Sequence, residues 1–319
     1  MPKARKSLQP FYDVLAEHRR QLDRLATRRA LPRMKRLYEE AHDALARKLR
    51  GRMRSGLGDT FTAHQQRIVL AQLKAGLITL NGRMAGELSD VTAEAQTESI
   101  RSLARNVRRL ELHFTGAEVS LPIDEAWKLR QLVGRRRAAL DNMHQRSMAR
   151  WGARLFADVH ERLSSAIAQD MTVGEAIEVL PREAAAQWWQ GERIARTEIS
   201  WAYGQATADG IEEAAEVVPD MMKRWSEHVN DDTGQPLDDR VAPDSLAMHG
   251  QVVEADGEFE FPEDADDMTE KEIERMRAAG PWTAPPQRPN DRAVLQPWRK
   301  AWGIPAWKLV DGRKVWMER

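Results

Sequence analysis

Proline placement divides this chain before any other feature does. Of the 15 prolines only four, Pro2, Pro10, Pro32 and Pro122, precede residue 181, and the other eleven stand at 181 or beyond. A proline lacks the amide that closes a helical turn and clashes with the turn before it, so the long proline-poor part is free to be helical and the proline-rich part is not. The expected fold class is α+β and predominantly α: long N-terminal helices, then a small mixed C-terminal domain with short antiparallel strands.

The apolar spacing supports helices in the first part. Between residues 11 and 54, Val14, Leu15, Leu22, Leu25, Met34, Leu37, Leu45 and Leu49 recur near helical spacing, and Pro32 is expected to split the run in two. Asp59 or Thr60 is the expected N-cap of the next helix. From Phe61 to Phe114 no proline interrupts a series that includes Leu70, Leu73, Leu77, Leu80, Met84, Leu88, Val107 and Leu110, so a long helix or a helical hairpin follows, with a break near Asn81-Gly82 as an option. Residues 123–169 read as another long helix, and its Arg135-Arg136-Arg137 run is either a solvated face or a phosphate contact. Thr172 and Glu175 have capping-box spacing; a short helix is expected to stop at Pro181, and another to run from Glu183 toward Val217.

Beyond Pro219 the period shortens. Residues 221–225, 251–254 and 257–261 are candidate strands, the last two joined as a hairpin across Ala255-Asp256, and Arg292 to Leu295 is another. Asp264 to Arg277 is a candidate helix. The tail holds Trp298, Trp302, Trp307 and Trp316, and Asp311-Gly312 suits a two-residue turn that would pair Trp307 with Trp316. That hairpin either packs back on its domain or docks a partner protein. The organisation expected is thus a helical region over 1–170, basic at its N-terminal end, a second domain over 171–300, and a Trp-rich tail over 301–319.

Composition restricts the chemistry. The formal charge is zero, but residues 1–60 carry sixteen Lys/Arg against seven Asp/Glu, a net of +9. Residues 207–280 carry a net of −16, and the last 39 residues return to +5. Arg19, Arg20, Arg28, Arg29, Lys35, Arg36, Lys48, Arg50, Arg52 and Arg54 are therefore the candidate contacts to double-stranded DNA or another acidic surface. With no cysteine, disulfides, thiolate metal sites and cysteine nucleophiles are excluded. No apolar run reaches the roughly 18–20 residues of a membrane span, and Met1 to Leu8 lacks the apolar core of a signal peptide.

Chemistry-bearing residues are present without a catalytic pattern. His228, Asp231, Asp232 and His249 are of types that ligate zinc or manganese, but their spacing matches no known ligand set, so no metal site is assigned. Arg196 and Glu198 stand two apart on a helix, point to different faces and cannot pair directly; each is read as an anchor for neighbouring backbone. No catalytic residue and no cofactor are assigned.

The order of these pieces resembles one family. Ile194-Ala195-Arg196-Thr197-Glu198-Ile199 with Ala202 is followed by Lys223-Arg224-Trp225 with His228 and Asp232, then by His249-Gly250-Gln251-Val252, Phe259 and Pro262. Last comes Pro289-Asn290-Asp291-Arg292-Ala293-Val294-Leu295. Over about residues 160–300 this is similar to the phage Mu F-like head morphogenesis (minor head) proteins. In that family the last piece is an Asn-Cys-Arg-Cys motif, and here Asp291 and Ala293 replace both cysteines, so no thiol or metal role carries over. The signature residues Arg196, Thr197, Glu198, Lys223, Trp225, His228, Asp232, His249, Gly250, Asn290 and Arg292 are read as structural.

The resemblance implies a structural minor head protein of a phage or phage-like particle. It would act in capsid assembly and sit in the virion at the portal vertex or head interior, after time in the host cytoplasm. Its partners would be the portal and major capsid proteins, with several copies per particle and contact with packaged DNA as open points. The alternatives are a DNA-binding or DNA-delivery protein ejected with the genome and an enzyme acting through Arg196, Glu198 and His228.

Overall fold

The computed structural model describes residues 6–52, 60–227, 229, 241, 243–265, 268–286 and 293–317, with backbone alone at 49–52, 173 and 177–187. Helices dominate: α1 Gln9–Arg24, α2 Leu31–Arg52, α3 Ala63–Phe114, α4 Ala126–Ala168, α5 Val173–Ala215, α6 Pro243–Met248 and α7 Glu270–Ala279. The strands are β1 Met222–Ser226, β2 Val252–Glu254, β3 Val294–Trp298, β4 Trp307–Val310 and β5 Arg313–Trp316. They form an antiparallel sheet of order β2-β1-β3 and a separate β4-β5 hairpin. The fold is α+β and predominantly α, with its short antiparallel strands in the C-terminal part.

Chain contacts divide the molecule into two compact units that interleave along the sequence. A mixed unit comprises Met1–Leu25, Thr92–Arg136 and Thr197–Arg319, and a helical unit comprises Ala26–Val91 and Arg137–Arg196. In the helical unit, Leu73, Leu77, Leu80, Met84 and Leu88 of α3 meet Met148, Trp151, Leu155, Val159 and Leu163 of α4 in one apolar core. Tyr38 lies between Trp151 and Trp188, with ring centroids 5.7 and 5.6 Å away.

The core of the mixed unit is lined differently. Ile100, Leu103, Val107 and Leu110 of α3 alternate with buried Gln96, Ser99, Ser102 and Asn106, and Ser99 Oγ meets Thr207 Oγ1 of α5 at 2.7 Å. The facing side of α5 is small: Ala202, Ala206 and Ala214 are buried, and a Cβ on Gly210 would come within 2.6 Å of the Leu103 side chain. Small residues let two backbones approach, and the hydroxyl and amide bonds then fix one register where apolar contacts alone would permit sliding.

Several local expectations need correction. Pro32 is not where the first run changes; the change is a π-helical turn, Leu25–Ala30, just before α2. Such a turn shifts the hydrogen-bond ladder ahead of the missing Pro32 amide, and the proline then occupies the second position of α2, where no amide is required. The option of a break at Asn81-Gly82 is not taken. Gly76, Gly82 and Gly86 all lie on the exposed side of one 52-residue helix, and their cost of about 1 kcal/mol each is too small to undo a helix packed along its other face. Pro181 does not stop a helix: α5 runs through it, losing one backbone bond within 43 residues. The cap of α3 is Thr62, which exchanges bonds with Gln65 at 2.8 and 3.3 Å; Thr60 bridges Thr172, and Asp59 lies outside the described residues.

In the C-terminal part, residues 257–261 form no hairpin with β2. Gly257 closes a turn onto Glu254, and Phe259 instead exchanges backbone bonds with Trp282 at 2.7 and 2.9 Å. The capping boxes of α5 (Thr172, Glu175) and α7 (Thr269, Glu272) both form. Pro297 is tolerated in β3 because β3 is an edge strand. The tail hairpin has the expected register, Trp307 opposite Trp316, with Asp311 and Gly312 at φ 49° and 79° as such a turn requires. The two rings differ in environment: Trp307 is 1% exposed and Trp316 65%.

Candidate functional site

Four of the residues singled out in the sequence, Lys223, Trp225, His249 and Gly250, gather around β1. Successive side chains of a strand face opposite sides, which sorts its residues into two groups. Lys223 and Trp225 share one face, where the Trp225 ring meets Phe259 edge-on at 5.3 Å and Lys223 Nζ donates to Gly257 O while lying 5.9 Å from the Phe259 ring. Trp225 is 0% exposed and Lys223 1%. Burial lowers the Lys223 amine from its ordinary value, against the opposing pull of Glu212, Asp256, Glu258 and Asp209.

The other face of the sheet carries a buried polar row between Met222 and Trp298 on one side and Val252 and Val294 on the other. Arg224 pairs with Gln296 in register, and Ser226 lies two residues on. Arg224 Nη1 donates to Ser226 Oγ at 2.6 Å, Ser226 Oγ donates to Gln296 Oε1 at 2.6 Å, and Arg224 Nε reaches Pro305 O at 3.3 Å. Phe11 of α1 covers the guanidinium, its ring centroid 5.3 Å from Arg224 Cζ.

His249 and Gly250 close the end of β1. His249 Nδ1 accepts the Glu227 amide at 3.0 Å, which places the ring proton on Nε2, and His249 O accepts Trp307 Nε1 at 2.8 Å. Gly250 has φ +87°; its amide reaches Trp225 O at 2.9 Å and its carbonyl accepts the Trp307 amide at 3.0 Å. A side chain there would combine a left-handed backbone with contact at 3.3 Å to the Trp307 ring, so glycine is required. Burial, with Arg224 and Arg19 nearby, holds the His249 ring well below the ordinary histidine value. Ser245 donates to the buried carboxylate of Glu227.

The Arg-Thr-Glu piece lies on α5. Arg196 donates to Glu192, one turn back, at 2.9 and 3.0 Å and is partly exposed, whereas Glu198 is 6% exposed; Thr197 is partly buried. His228, Asp232, Asn290 and Arg292 lie outside the described residues, as do Asp231 and Asp291. Among the described residues no group of three or more His, Asp or Glu is placed to hold a metal ion.

Two charge clusters were not legible as such. Arg135 Nη2 donates to Glu213 at 2.6 Å alongside Lys128, and Arg136 makes a two-pronged bond to Asp209 at 2.7 and 2.8 Å. Arg137, in the helical unit, lies 3.6 Å from Asp90 and 3.4 Å from Asp141. The triple arginine is thus a largely exposed face whose guanidiniums are paired with carboxylates. Burial works against ionisation of Glu213, yet the bonds from Lys128 and Arg135 keep it below its ordinary value. The second cluster holds the tail: Glu111 of α3 receives Arg299 Nη1 at 2.6 Å and Trp302 Nε1 at 2.8 Å. A carboxylate facing residues almost 190 positions away leaves no spacing signal in the sequence.

The basic candidates are disposed otherwise. Arg20, Arg28, Arg29, Lys35, Arg36 and Lys48 are exposed and Arg19 is partly buried; the side chains of Arg50 and Arg52 and the whole of Arg54 lie outside what is described. Lys35 is 3.8 Å from Glu39 in its own helix, a weak surface contact.

No protein family, curated protein or solved structure matches this chain. Among the described residues, no helix is long and apolar enough to cross a membrane.

Proposed function

We propose that this chain is a structural minor head protein of a phage or phage-like particle, assembling with the portal and major capsid proteins. One observation carries the reading beyond the resemblance in sequence: the signature residues around β1 are engaged as framework. Lys223 holds a carbonyl, Trp225 fills the core, and His249 and Gly250 close the strand end onto Trp307. Residues used in this way set a fold, and function then resides in the surfaces that the fold presents. Fractionation of particles is the test: the chain should sediment with heads and portal at a fixed copy number through stringent washing, and its recovery solely as free protein would overturn the proposal.

A second reading, contact with packaged or ejected DNA, is favoured by the exposure of Arg20, Arg28, Arg29, Lys35, Arg36 and Lys48. Lys128, Arg135, Arg136 and Arg137 of α4 lie against carboxylates, and Lys35 keeps only a weak contact with Glu39. Duplex DNA should then bind the full chain with an affinity that falls steeply between 50 and 200 mM salt, in proportion to the phosphates neutralised. A salt-insensitive or undetectable affinity removes this reading and leaves the first untouched.

A further inference from the structure

Within the mixed unit, α1 is held by a face that changes character along its length. Phe11, Val14 and Leu15 are buried at its start; His18 and Gln21 are buried toward its end, at 0% and 7% exposure. Asn106 Nδ2 stands 3.1 Å from His18 Nε2 and donates to Ser102 Oγ at 3.2 Å. An amide nitrogen has only donors, so His18 Nε2 is the acceptor and the neutral ring carries its proton on Nδ1. Tyr203 OH donates to Gln21 Oε1 at 2.7 Å, and the Tyr203 ring meets that of His18 edge-on at 5.7 Å. At the rim, Arg109 and Asp13 lie 2.9 Å apart and Arg105 and Glu17 3.7 Å, all more than a third exposed. Exposed pairs of this kind hold little.

Beneath α1 lies the Arg224, Ser226 and Gln296 row of the sheet, a polar strip where a helix usually covers an apolar one. We propose that α1 is a releasable strap: it docks on α3, α5 and β3 while His18 is neutral and lets go when His18 takes up a proton, uncovering that row.

The groups around the ring set the direction. Arg19 on α1 and Arg105 on α3 are cations that oppose a second ring proton; Asn106 would present a donor to a donor; Glu17 and Glu98, the carboxylates near Tyr203, are both within reach of Arg105, at 3.7 and 3.3 Å. Burial first, then Arg105 and Arg19, push His18 from its ordinary 6.5 down to about 4. With the docked value below the released one, docking is at full strength above pH 6.5, weakens as the pH falls, and stops weakening near pH 4. At pH 5 the released fraction should rise on the order of 30-fold over neutral pH.

Amide exchange of the full chain at pH 7 and pH 5, corrected for intrinsic rates, tests this. Protection of α1 should fall on the order of 30-fold and should do so while the centre of the β1–β3 pairing is still protected, the end of β1 carrying its own buried neutral His249. In His18→Gln, α1 should remain protected at pH 5. Asn106→Asp, which retains His18 and sets a carboxylate against its ring, should raise the docked value toward the released one and so shrink the loss between pH 7 and pH 5, and serves alone if the first variant does not fold. The proposal is overturned if α1 protection is independent of pH, if α1 and the sheet lose protection to the same extent, or if Asn106→Asp loses as much α1 protection at pH 5 as the unaltered chain.

Discussion

The two units contain stretches of the same helices, yet they hold them by different means. On α3, the buried positions of the helical unit are nearly all apolar, among them Val69, Leu73, Leu77, Leu80, Met84 and Leu88 with Ser89 the polar one, whereas those of the mixed unit include Gln96, Ser99, Ser102 and Asn106 among the leucines. An apolar seam is strong but tolerant of small shifts; a seam with hydroxyls and amides is satisfied in one register only. The difference teaches where geometry matters in this molecule. The mixed unit, which carries the signature around β1, is the one whose helices are locked.

Backbone approach should expose the contrast most strongly. A Cβ on Gly204 of α5 would lie 2.2 Å from Pro285 O in the mixed unit, whereas one on Gly76 of α3 would meet nothing within 4 Å in the helical unit. Chemical denaturation should show Gly204→Ala costing about 3 kcal/mol. Gly76→Ala should instead add about 1 kcal/mol through helix propensity. Equal effects at the two sites would break the comparison.

Acidification should reach the core of the helical unit through His144. His144 is 0% exposed, and burial holds it at about 4, with Asp141 opposing and Arg137 assisting. The unfolded chain binds that proton near 6.5 and the folded one does not, so stability is complete above pH 6.5 and falls as the pH drops toward 4. The loss should approach about 3 kcal/mol, and urea midpoints of His144→Gln should be correspondingly flatter over that window.

A matched pair of tyrosines gives the smallest and most selective test. The Tyr203 hydroxyl binds buried Gln21, while the buried hydroxyl of Tyr38 has no hydrogen-bond partner among the described residues. Tyr203→Phe should cost about 1–2 kcal/mol, and Tyr38→Phe should be neutral or slightly stabilising. Thermal midpoints of the two variants would sharpen the distinction, and a costly Tyr38→Phe would blur it.

Periodicity made the helices and most strands legible. Leu73 to Leu88 announce one buried stripe, and Asp311-Gly312 announces the turn that pairs Trp307 with Trp316. The polar seam was hidden because Gln96, Ser99, Ser102 and Asn106 occupy inward positions with residue types that usually face water. Pro181 misled for a related reason: a local rule loses to the packing of a long helix on both sides of it. Around β1 the sequence marked Lys223, Trp225, His249 and Gly250, but not Arg224, Ser226, Glu227, Ser245 or Gln296. Their roles depend on which strands become neighbours, and the β1–β3 pairing joins residues about 70 positions apart.

Under the proposed function, Glu198, Lys223, Trp225 and His249 build a fold rather than perform chemistry, and the most direct test is to substitute each of them and plot the unfolding midpoint of each chain against the yield of infectious particles. The account predicts that yield falls only as stability falls, with Trp225→Ala, which empties a fully buried site at a cost of about 3–5 kcal/mol, at the far end. A variant with an unchanged midpoint, normal incorporation into heads and no infectivity would contradict it.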